Sequence, residues 1–354
     1  MLILGIESSC DETAAAVLSG EPQVLSSAVA SQIDVHHAFG GVVPELASRE
    51  HLRNIRPVVQ QALREAAVEL RDIECVAVTY APGLIGSLLV GVTYAKALSF
   101  ALGVPLVAVH HLEGHVFAAE LEHGPFPYPA LILIVSGGHS SLLFSEEREK
   151  YKLVAQTRDD AAGEAYDKVA KLLGLGYPGG PILDRLAAEG NPRAYPLPMA
   201  RFSDGSLDLS FSGIKTAVVR LVAEQQIPRA AAADAPQPGE ILDLAASFQY
   251  AVIGTLLDRV KRAAAHLSPR CVVLTGGVAC NRGLRAAFRE HFEPQGIRVL
   301  FPRPAWTTDN AAMIAAAALP KARRGEFADL RTSAYATVPL TRERIPMPNP
   351  LKNN

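Results

Sequence analysis

Two histidines four residues apart give the sharpest chemical signal in the chain. The segment HHLEGH places His111 and His115 one helical turn apart, so on a helix both imidazoles project from one face and can share a metal ion. A packed or exposed histidine pair is the alternative. The glutamate is not where zinc proteases of the H-E-x-x-H type need it. A metal site needs a third ligand, and Asp309 is one candidate, although its place before an alanine-rich helix also suits an N-cap.

Three glycine-containing turns follow predicted strands. They are APGLIG at 81–86, SGGH at 136–139 and TGGV at 275–278. Glycines at a strand end let backbone N–H groups approach an anionic ligand closely, and a following helix adds its positive end. None of the three matches a P-loop or a dinucleotide-binding fingerprint. Together they favour a bound nucleotide or phosphate over simple tight turns.

Carboxylates stand beside small residues at several of these positions. Asp11 and Glu12 occupy the first hairpin turn, Asp167 lies one turn into a predicted helix, and Asp184 follows a Gly-Gly-Pro sequence. Asn281 follows the last Gly-Gly turn and opens another helix. Such groups can hold ribose hydroxyls or a cation. Turn chemistry and solvated helix faces explain the same carboxylates equally well.

The elements that must position these groups begin with a repeated hairpin. Apolar runs at Leu2–Ile6 and Ala14–Leu18 flank the polar turn ESSCDET, which predicts two antiparallel strands. The pattern returns within Ala130–Phe144 as LILIV, SGGHS and SLLF. We interpret this as a weak internal duplication in which each lobe opens with a hairpin. The alternative is that any two hairpins look alike at this level.

Strands and helices alternate in the rest of the chain, which predicts mixed sheets covered by helices. The predicted helices are Arg49–Leu70, Ser87–Leu102, Ala162–Leu173, Leu242–Leu267 and Ala311–Leu319, and the further strands are Cys75–Tyr80, Val104–Val109 and Cys271–Thr275. Residues 225–240 are rich in Pro, Ala and Gln and predict an exposed connection. The proline-bearing tail from Arg342 is expected to be extended or loose.

Composition limits the class of protein. With 354 residues, 49% of them hydrophobic and 20% charged, the chain is long enough for about two packed domains. The net charge of -2 argues against a free-standing basic nucleic-acid binder, although five arginines between 282 and 303 leave room for a local basic strip. Four scattered cysteines and an N-terminus without a signal peptide predict a soluble, cytoplasmic protein. The apolar stretch Gly86–Val104 is expected to be a buried helix, not a membrane span.

Taken together, the motifs resemble one family over about residues 3–318. GIESSCDET, GGVVPELASREH, APGLIGSLLVG, HHLEGH, VSGGHS, DDAAGEAYDKVAKLLGLGYPGGP, FSGIKT, GGVACNR and TDNAAMIA are similar, in this order, to the tRNA threonylcarbamoyladenosine transferases of bacterial type. An older label for the family is O-sialoglycoprotein endopeptidase. The absence of a zinc-protease glutamate disfavours that label.

The resemblance implies an α/β fold with two lobes, that of the actin-like, sugar-kinase and chaperone ATPase superfamily. Each lobe would be a mixed sheet flanked by helices, in agreement with the repeated hairpin. We expect an N-terminal lobe at 1–115, completed by a C-terminal helix around 310–345, and a second lobe at 116–309. Residues 225–240 would form an exposed connection.

The resemblance also implies a reaction and its site. A threonylcarbamoyl group would pass from threonylcarbamoyl-adenylate to the exocyclic amine of the adenosine next to the anticodon, in tRNAs reading codons that begin with A. His111, His115 and Asp309 would bind one divalent ion, iron or zinc, and Asp11 and Glu12 would be catalytic acids near the reacting end. The adenylate intermediate or ATP would lie at a set of substrate-binding residues, namely Ile134, Val135, Ser136, Gly137, Gly138, Asp167, Gly180, Asp184 and Asn281.

The implied partners are tRNA, a paralogous bacterial subunit and a small ATPase, with no membrane. The competing reading is an ATP-dependent kinase or ATPase of the same superfamily, in which the glycine turns and Asp11 would hold nucleotide phosphates and magnesium. The histidine pair discriminates, because a magnesium phosphotransferase does not need imidazole ligands. A module that only positions other proteins is a third reading.

Overall fold

The computed structural model describes residues 1–230 and 232–347, and its strands and helices are numbered here in chain order. The strands are β1 Leu2–Glu7, β2 Glu12–Ser19, β3 Val24–Ser31, β4 Cys75–Ala81, β5 Leu106–His110, β6 Ala130–Val135, β7 Ser140–Glu147, β8 Lys150–Gln156, β9 Cys271–Thr275 and β10 Arg298–Leu300. The helices are α1 Ile33–His37, α2 Pro44–Glu65, α3 Ile85–Leu102, α4 His111–His123, α5 Ala162–Leu173, α6 Gly179–Ala187, α7 Ser212–Glu224, α8 Gly239–Leu267, α9 Arg282–Phe292, α10 Pro304–Thr307 and α11 Ala311–Arg323.

The first of two compact units combines residues 1–125 with 302–340. Its sheet has the order β3-β2-β1-β4-β5, with β1 antiparallel to β2 and parallel to β4. Side chains alternate across β1. Leu4 and Ile6 join a core with α2 and α3, whereas Ile3 joins another with α4 and α11. Both faces of this sheet are therefore covered, which explains why β1 and β4 are almost continuously apolar.

The second unit combines residues 126–301 with the described residues of the C-terminal segment, 341–347. Its sheet has the order β10-β9-β6-β7-β8, with β6 antiparallel to β7 and parallel to β9. A single large apolar core joins this sheet to α5, α6, α8 and α9. The two sheets thus share one strand order and one set of directions, and the repeated hairpin at the start of each is confirmed.

The unit boundaries differ from the expected ones at 115 and 309. The first unit extends through Pro125 and resumes at Pro302, because α4 is one continuous helix that packs against α11. The helix expected around 310–345 ends at Arg323, and Gly325, with a φ of 73°, follows its last turn. Residues 324–347 contain no helix.

Two connections predicted from composition have a mixed outcome. Residues 225–240 are largely exposed, but Ile227 is buried and the last two residues already belong to α8; Ala231 lies outside the described residues. Of the tail expected to be loose, Glu343 and Ile345 bond to β8. Residues 348–354 of that tail lie outside the described residues.

Two helices, α3 and α8, are long and apolar enough to cross a membrane by length and composition. Each packs within its own unit. Leu88 and Val92 of α3 are buried against the first sheet, and Phe248 and Val252 of α8 lie in the second core. Helix α8 is mostly buried, as is typical of core helices in globular proteins. Helix α3 buries one face only and leaves Ile85, Leu89 and Phe100 exposed, so the expectation of a buried helix at Gly86–Val104 is met on that face alone.

The parallel strands bring the chemistry-bearing turns to one edge of each sheet. In the first sheet β1, β4 and β5 end at Glu7, Ala81 and His110. In the second, β6 and β9 end at Val135 and Thr275. Carboxyl ends of parallel strands are where α/β sheets usually hold their ligands. Both candidate sites start from such an edge.

Candidate functional site

His111, His115 and Asp309 come together in the first unit. One donor atom from each lies within 4.8 Å of the other two. The Nε2 atoms of His111 and His115 are 3.5 Å and 3.3 Å from the same Asp309 Oδ1. Both histidines are buried, and Asp309 is mostly covered. The three residues predicted as a metal set therefore form one convergent cluster.

Local structure explains why these side chains converge. Helix α4 begins at His111, so His115 lies one turn along the same face, with the two ring centroids 4.7 Å apart. The N-cap of α11 is Asn310, whose Oδ1 accepts from the backbone of Met313 at 2.9 Å. The alternative reading of Asp309 as that N-cap is wrong, and its carboxylate instead faces the two imidazoles.

Glu7, at the end of β1, fixes the orientation of His111. Its Oε2 lies 3.1 Å from His111 Nδ1 and accepts from the Thr79 hydroxyl at 2.6 Å, while Oε1 accepts from the backbone of Ser9. The Ser9 hydroxyl is also 3.1 Å from that Nδ1. A carboxylate that accepts a hydrogen bond from the Nδ1–H of a histidine favours the tautomer in which Nε2 is the ligand atom. Glu7 was not among the predicted site residues, although a glutamate that ends the apolar run LILGIE is a usable signal of a buried functional carboxylate.

The electrostatics of the cluster show an excess of negative charge. Burial alone would lower the pKa of His111, but the carboxylates of Asp309 and Glu7 outweigh it and raise that pKa to about 9. Burial lowers the pKa of His115 below its ordinary value. Burial, reinforced by the charges of Asp309 and Asp11, raises the pKa of Glu12 well above its usual range. Glu12 thus lies within the electrostatic reach of Asp309 and of Asp11.

The donor set suits a divalent transition metal. Two imidazoles and one carboxylate form the combination found in catalytic zinc sites and in non-haem iron sites, where open positions remain for substrate or water. Glu7 supplies the carboxylate that typically supports a metal-bound histidine. A divalent cation would also compensate the negative charge that raises the pKa of Glu12. The residues present therefore fit a metal ion.

In the second unit, the SGGH turn exposes the backbone of its two glycines. Ser136 N–H donates to the carbonyl of His139 at 2.8 Å, and the Ser136 hydroxyl accepts from His139 N–H at 3.1 Å. Gly137 and Gly138 are exposed, with open space where a Cβ would stand. Gly163, at the start of α5, donates to the Ser136 carbonyl at 3.1 Å, and a Cβ there would lie only 2.7 Å from that oxygen. The turn therefore presents N–H groups beside a helix N-terminus.

Asp167 contacts the start of α6 at Gly179, the residue before Gly180. The Asp167 carboxylate accepts from the backbone of Gly179 at 2.7 Å. A Cβ on Gly179 would lie 2.6 Å from the Tyr166 carbonyl, so only glycine fits there. Gly180 has open space at the same point, which leaves the first turn of α6 accessible to a ligand.

Asp184 and Asn281 belong to one buried polar network. Asp184 accepts from the Gln249 side chain at 3.2 Å and from the Arg282 guanidinium at 3.1 Å. Asn281 caps α9 through Leu284 N–H and donates to Gln249 Oε1. Gln249 was not predicted as a site residue, because a glutamine inside the long apolar helix α8 carries no spacing signal.

The remaining predicted nucleotide-site residues contribute backbone only. Ile134 and Val135 are fully buried in β6, where Ile134 pairs with Ser141 and Thr275. They hold the turn that follows them. The APGLIG turn has a different explanation, since a Cβ on Gly83 would lie 2.5 Å from the Ser9 carbonyl. Its glycine is needed for packing against the ESSC turn within the first unit.

The predicted arginine strip is only partly free for other partners. Arg282 pairs with Asp184, Arg289 lies 3.8 Å from Glu293, and Arg303 pairs with Glu122. The guanidinium groups of Arg285 and Arg289 also stack on the Phe301 ring, 5.0 Å and 5.2 Å from its centroid. Intramolecular contacts thus account for much of this charge.

Comparison with known proteins gives consistent matches across the chain. The family model described as TsaD, tRNA N6-adenosine threonylcarbamoyltransferase, matches residues 23–316. A relative from Moorella thermoacetica is 50% identical over 343 residues, covering 96% of this chain and 97% of that protein. One from Syntrophotalea carbinolica is 50% identical over 349 residues, covering 98% and 99%. Both carry the name tRNA N6-adenosine threonylcarbamoyltransferase.

Solved structures of similar fold are more distant in sequence. Component A of (R)-2-hydroxyglutaryl-CoA dehydratase from Acidaminococcus fermentans matches with a TM-score of 0.55 at 16% identity, covering 91% of this chain and 99% of that one. The activator of 2-hydroxyisocaproyl-CoA dehydratase from Clostridium difficile, solved with bound ADPNP, matches with a TM-score of 0.53 at 16% identity, covering 92% and 97%. These likenesses concern the fold alone, which is the α/β fold of actin-like ATPases and sugar kinases.

Proposed function

The chain belongs to the tRNA N6-adenosine threonylcarbamoyltransferase family, and from this premise we propose how its residues serve the reaction. The protein is an enzyme that transfers a threonylcarbamoyl group to the N6 amine of adenosine in tRNA. We infer that the donor is threonylcarbamoyl-adenylate. The acceptor is the adenosine next to the anticodon in tRNAs that read codons beginning with A.

The transfer sets definite chemical tasks. The N6 nitrogen forms a bond to the carbamoyl carbon, the bond from that carbon to the adenylate phosphate oxygen breaks, and one amine proton must leave. Negative charge develops on the carbonyl oxygen, and AMP departs as the leaving group. A site for this reaction must stabilise the negative charge on the carbonyl oxygen, bind the adenylate and provide a group that accepts the amine proton.

The convergent set of His111, His115 and Asp309 is the observation that carries the proposal. We assign these residues as ligands of one divalent ion, iron or zinc. When bound, the ion supplies Lewis-acid stabilisation of negative charge on oxygen. Glu7 accepts a hydrogen bond from Nδ1–H of His111 and so favours the tautomer with Nε2 as the ligand atom. The clustered carboxylates support the assignment, because they need a positive charge among them.

Asp11 and Glu12 are assigned to the reacting end. Burial and the charges of Asp309 and Asp11 raise the pKa of Glu12 and so favour its neutral form. Added positive charge would favour the carboxylate form. Asp11, which is adjacent to Glu12 in the sequence, is our candidate to accept the proton lost by the amine.

The second unit is proposed to hold the adenylate. The N–H groups of Gly137 and Gly138 would bind its phosphate, and the open first turn of α6 at Gly180 would lie against the nucleoside. Asp184 and Asn281 would hydrogen-bond the ribose or base through the network around Gln249. Ile134 and Val135 position the turn, and Asp167 fixes the start of α6.

Partners are proposed from charge and exposure. The net charge of -2 supports a role for other proteins in binding tRNA, and we propose a paralogous subunit and a small ATPase. Three apolar side chains on α2 and α3 support a protein-binding face, since Leu52, Ile85 and Leu89 are 67%, 47% and 45% exposed. We place the reaction in the cytoplasm, together with the tRNA.

Reconstitution tests the proposal directly. The purified chain is incubated with tRNA, threonine, bicarbonate and ATP, with and without candidate partners, and also with preformed threonylcarbamoyl-adenylate. Nucleoside analysis should reveal threonylcarbamoyladenosine. ATP hydrolysis or phosphorylation of a small substrate in place of modified tRNA would support the kinase alternative. Absence of the modified nucleoside under every condition would refute the assignment.

Variants locate the metal site within that assay. Asp309→Asn and His111→Ala should lose bound metal and most transfer activity. His123→Ala is the matched control, because His123 is an exposed histidine at the far end of the same helix. It should keep both. A His111→Ala protein with full metal content and full activity would contradict the ligand assignment.

A further inference from the structure

Asp208, in the second unit, is a buried carboxylate outside both candidate sites. Asp208 lies in the connection between α6 and α7 and is only 3% exposed. Arg158 Nε donates to its Oδ2 at 2.8 Å, and Arg344 pairs with its Oδ1. Arg259 donates to its backbone carbonyl at 3.2 Å. A buried carboxylate needs such partners, so the loss of one arginine leaves charge uncompensated.

One of these arginines comes from the C-terminal segment. Leu153 N–H donates to the Glu343 carbonyl at 2.8 Å, and Ile345 N–H donates to the Leu153 carbonyl at 2.9 Å. The segment thus lies parallel to the edge strand β8. Ile345 and Met347 also pack on the second core. Backbone bonds, apolar contact and the Arg344 ion pair together dock the segment.

Asp208 is bonded to the chain that leaves β8. Its Oδ1 accepts from the backbone of Gln156 at 3.2 Å. Leu209 N–H donates to the Gln156 carbonyl at 2.9 Å, and Arg158 N–H donates to the Leu209 carbonyl at 2.9 Å. The position of residues 156–158 is therefore fixed by Asp208 and its neighbour.

Residues 157–163, which follow, are hydrogen-bonded to both ends of the SGGH turn. Thr157 N–H donates to the Ser140 carbonyl at 2.8 Å, and Ala162 N–H donates to the Ser140 hydroxyl at 2.9 Å. Gly163 N–H then donates to the Ser136 carbonyl at 3.1 Å. A continuous series of hydrogen bonds thus joins Arg344 to the turn that carries Gly137 and Gly138.

We propose that Asp208 and Arg344 are positioning residues for the adenylate-binding turn, with the docked C-terminal segment supplying the second cation that Asp208 needs. The inference rests on the proposed function of that turn. Without Arg344, Asp208 relaxes toward its remaining partner, residues 156–163 lose their fixed position, and the N–H groups of the turn are no longer held ready for a phosphate.

Titration with AMP tests the proposal on the full chain. Arg344→Ala should weaken AMP binding by about tenfold, and Asp208→Asn should do so at least as strongly. Arg344→Lys should recover part of the loss, since it restores the charge without the fork geometry. Arg342→Ala is the matched control, because Arg342 is an exposed arginine two residues earlier. Zinc affinity, a property of the first unit, should stay unchanged in all four variants.

A second measurement separates positioning from stability and from the identity of the ligand. Amide hydrogen exchange, recorded well below the unfolding midpoint and without nucleotide, should quicken at residues 136–140 and 157–163 in Arg344→Ala. Unchanged exchange there, or wild-type AMP affinity in a variant that is merely less stable, would overturn the positioning role. A wild-type chain that does not bind AMP would refute the nucleotide site instead, and the exchange data would still decide the positioning role.

Discussion

Replacing Glu7 by glutamine tests the metal centre through a residue that does not touch the metal. The glutamate accepts from three donors, namely the Ser9 backbone, the Thr79 hydroxyl and His111 Nδ1. Glutamine has nearly the same shape but only one acceptor oxygen. Whichever way its amide is turned, the NH2 group faces at least one of those buried donors. One unmade buried hydrogen bond costs about 1–3 kcal/mol.

The consequence for His111 is larger than the loss of one bond. The Ser9 N–H can only donate, so the amide oxygen of the glutamine should face Ser9 and its NH2 group should face the Thr79 hydroxyl and Nδ1, both of which can also accept. An NH2 group beside Nδ1 favours the tautomer in which Nδ1 accepts and Nε2 carries the proton. That proton occupies the lone pair that points toward Asp309 and that a metal ion would need. Loss of such a supporting carboxylate typically lowers metal affinity about 10–100-fold. This corresponds to about 1.4–2.7 kcal/mol of binding free energy.

The assay is competition between the protein and a chromophoric chelator for zinc, with urea unfolding to confirm that the variant is folded. Glu74→Gln serves as the matched control, because Glu74 is an exposed glutamate of the same unit that pairs with the N-terminal ammonium. It should bind zinc like the wild type. A folded Glu7→Gln protein with wild-type zinc affinity would refute the orienting role of Glu7.

Three further predictions concern the pKa of His111, the close packing of Gly163 and the N-cap of α11. Zinc affinity should rise about tenfold per pH unit up to about pH 9, because the proton on His111, whose pKa is raised to about 9, must be displaced by the metal; a flat profile in chelator competition from pH 6.5 to 8.5 would contradict this. Gly163→Ala should lower the free energy of unfolding by about 1–3 kcal/mol and weaken AMP binding in calorimetric titration, since the new Cβ meets the Ser136 carbonyl. Asn310→Ala should cost about 0.5–2 kcal/mol in urea unfolding, because it removes the side-chain oxygen that caps α11 at Met313 N–H. Asn310→Asp keeps that oxygen but loses the Nδ2 group that donates to the Thr308 carbonyl, so it should recover only part of the loss.

Much of the fold could be predicted from the sequence because its signals are local. Alternating and continuous apolar runs gave the two hairpins, and helix α5 begins and ends where its periodicity indicates. The ends of the first unit could not be found in this way. They depend on α11 packing against α4, a contact between segments nearly 200 residues apart in the sequence.

The residues of the candidate site also differ in whether a local pattern or a tertiary contact brings them together. His111 and His115 share a helix face, so their spacing alone brings them together. Asp309 reaches them only through tertiary packing, and the choice between ligand and N-cap depended on which of two adjacent residues caps α11. Gln249 and Asp208 act through long-range hydrogen bonds, which leave no periodic pattern in the sequence.

The return of the chain to its first unit sets an order for folding during synthesis. Strands β1 to β5 leave the ribosome early, but α11, which covers one face of their sheet, is made only after residue 310. The second unit lies between them and needs little beyond residue 301 to complete its sheet and core. The part of the protein that is synthesised first is therefore completed last. Until then, Ile3, Ala77 and Val107 are covered on that face by α4 alone, so the nascent chain exposes apolar surface that α11 later buries.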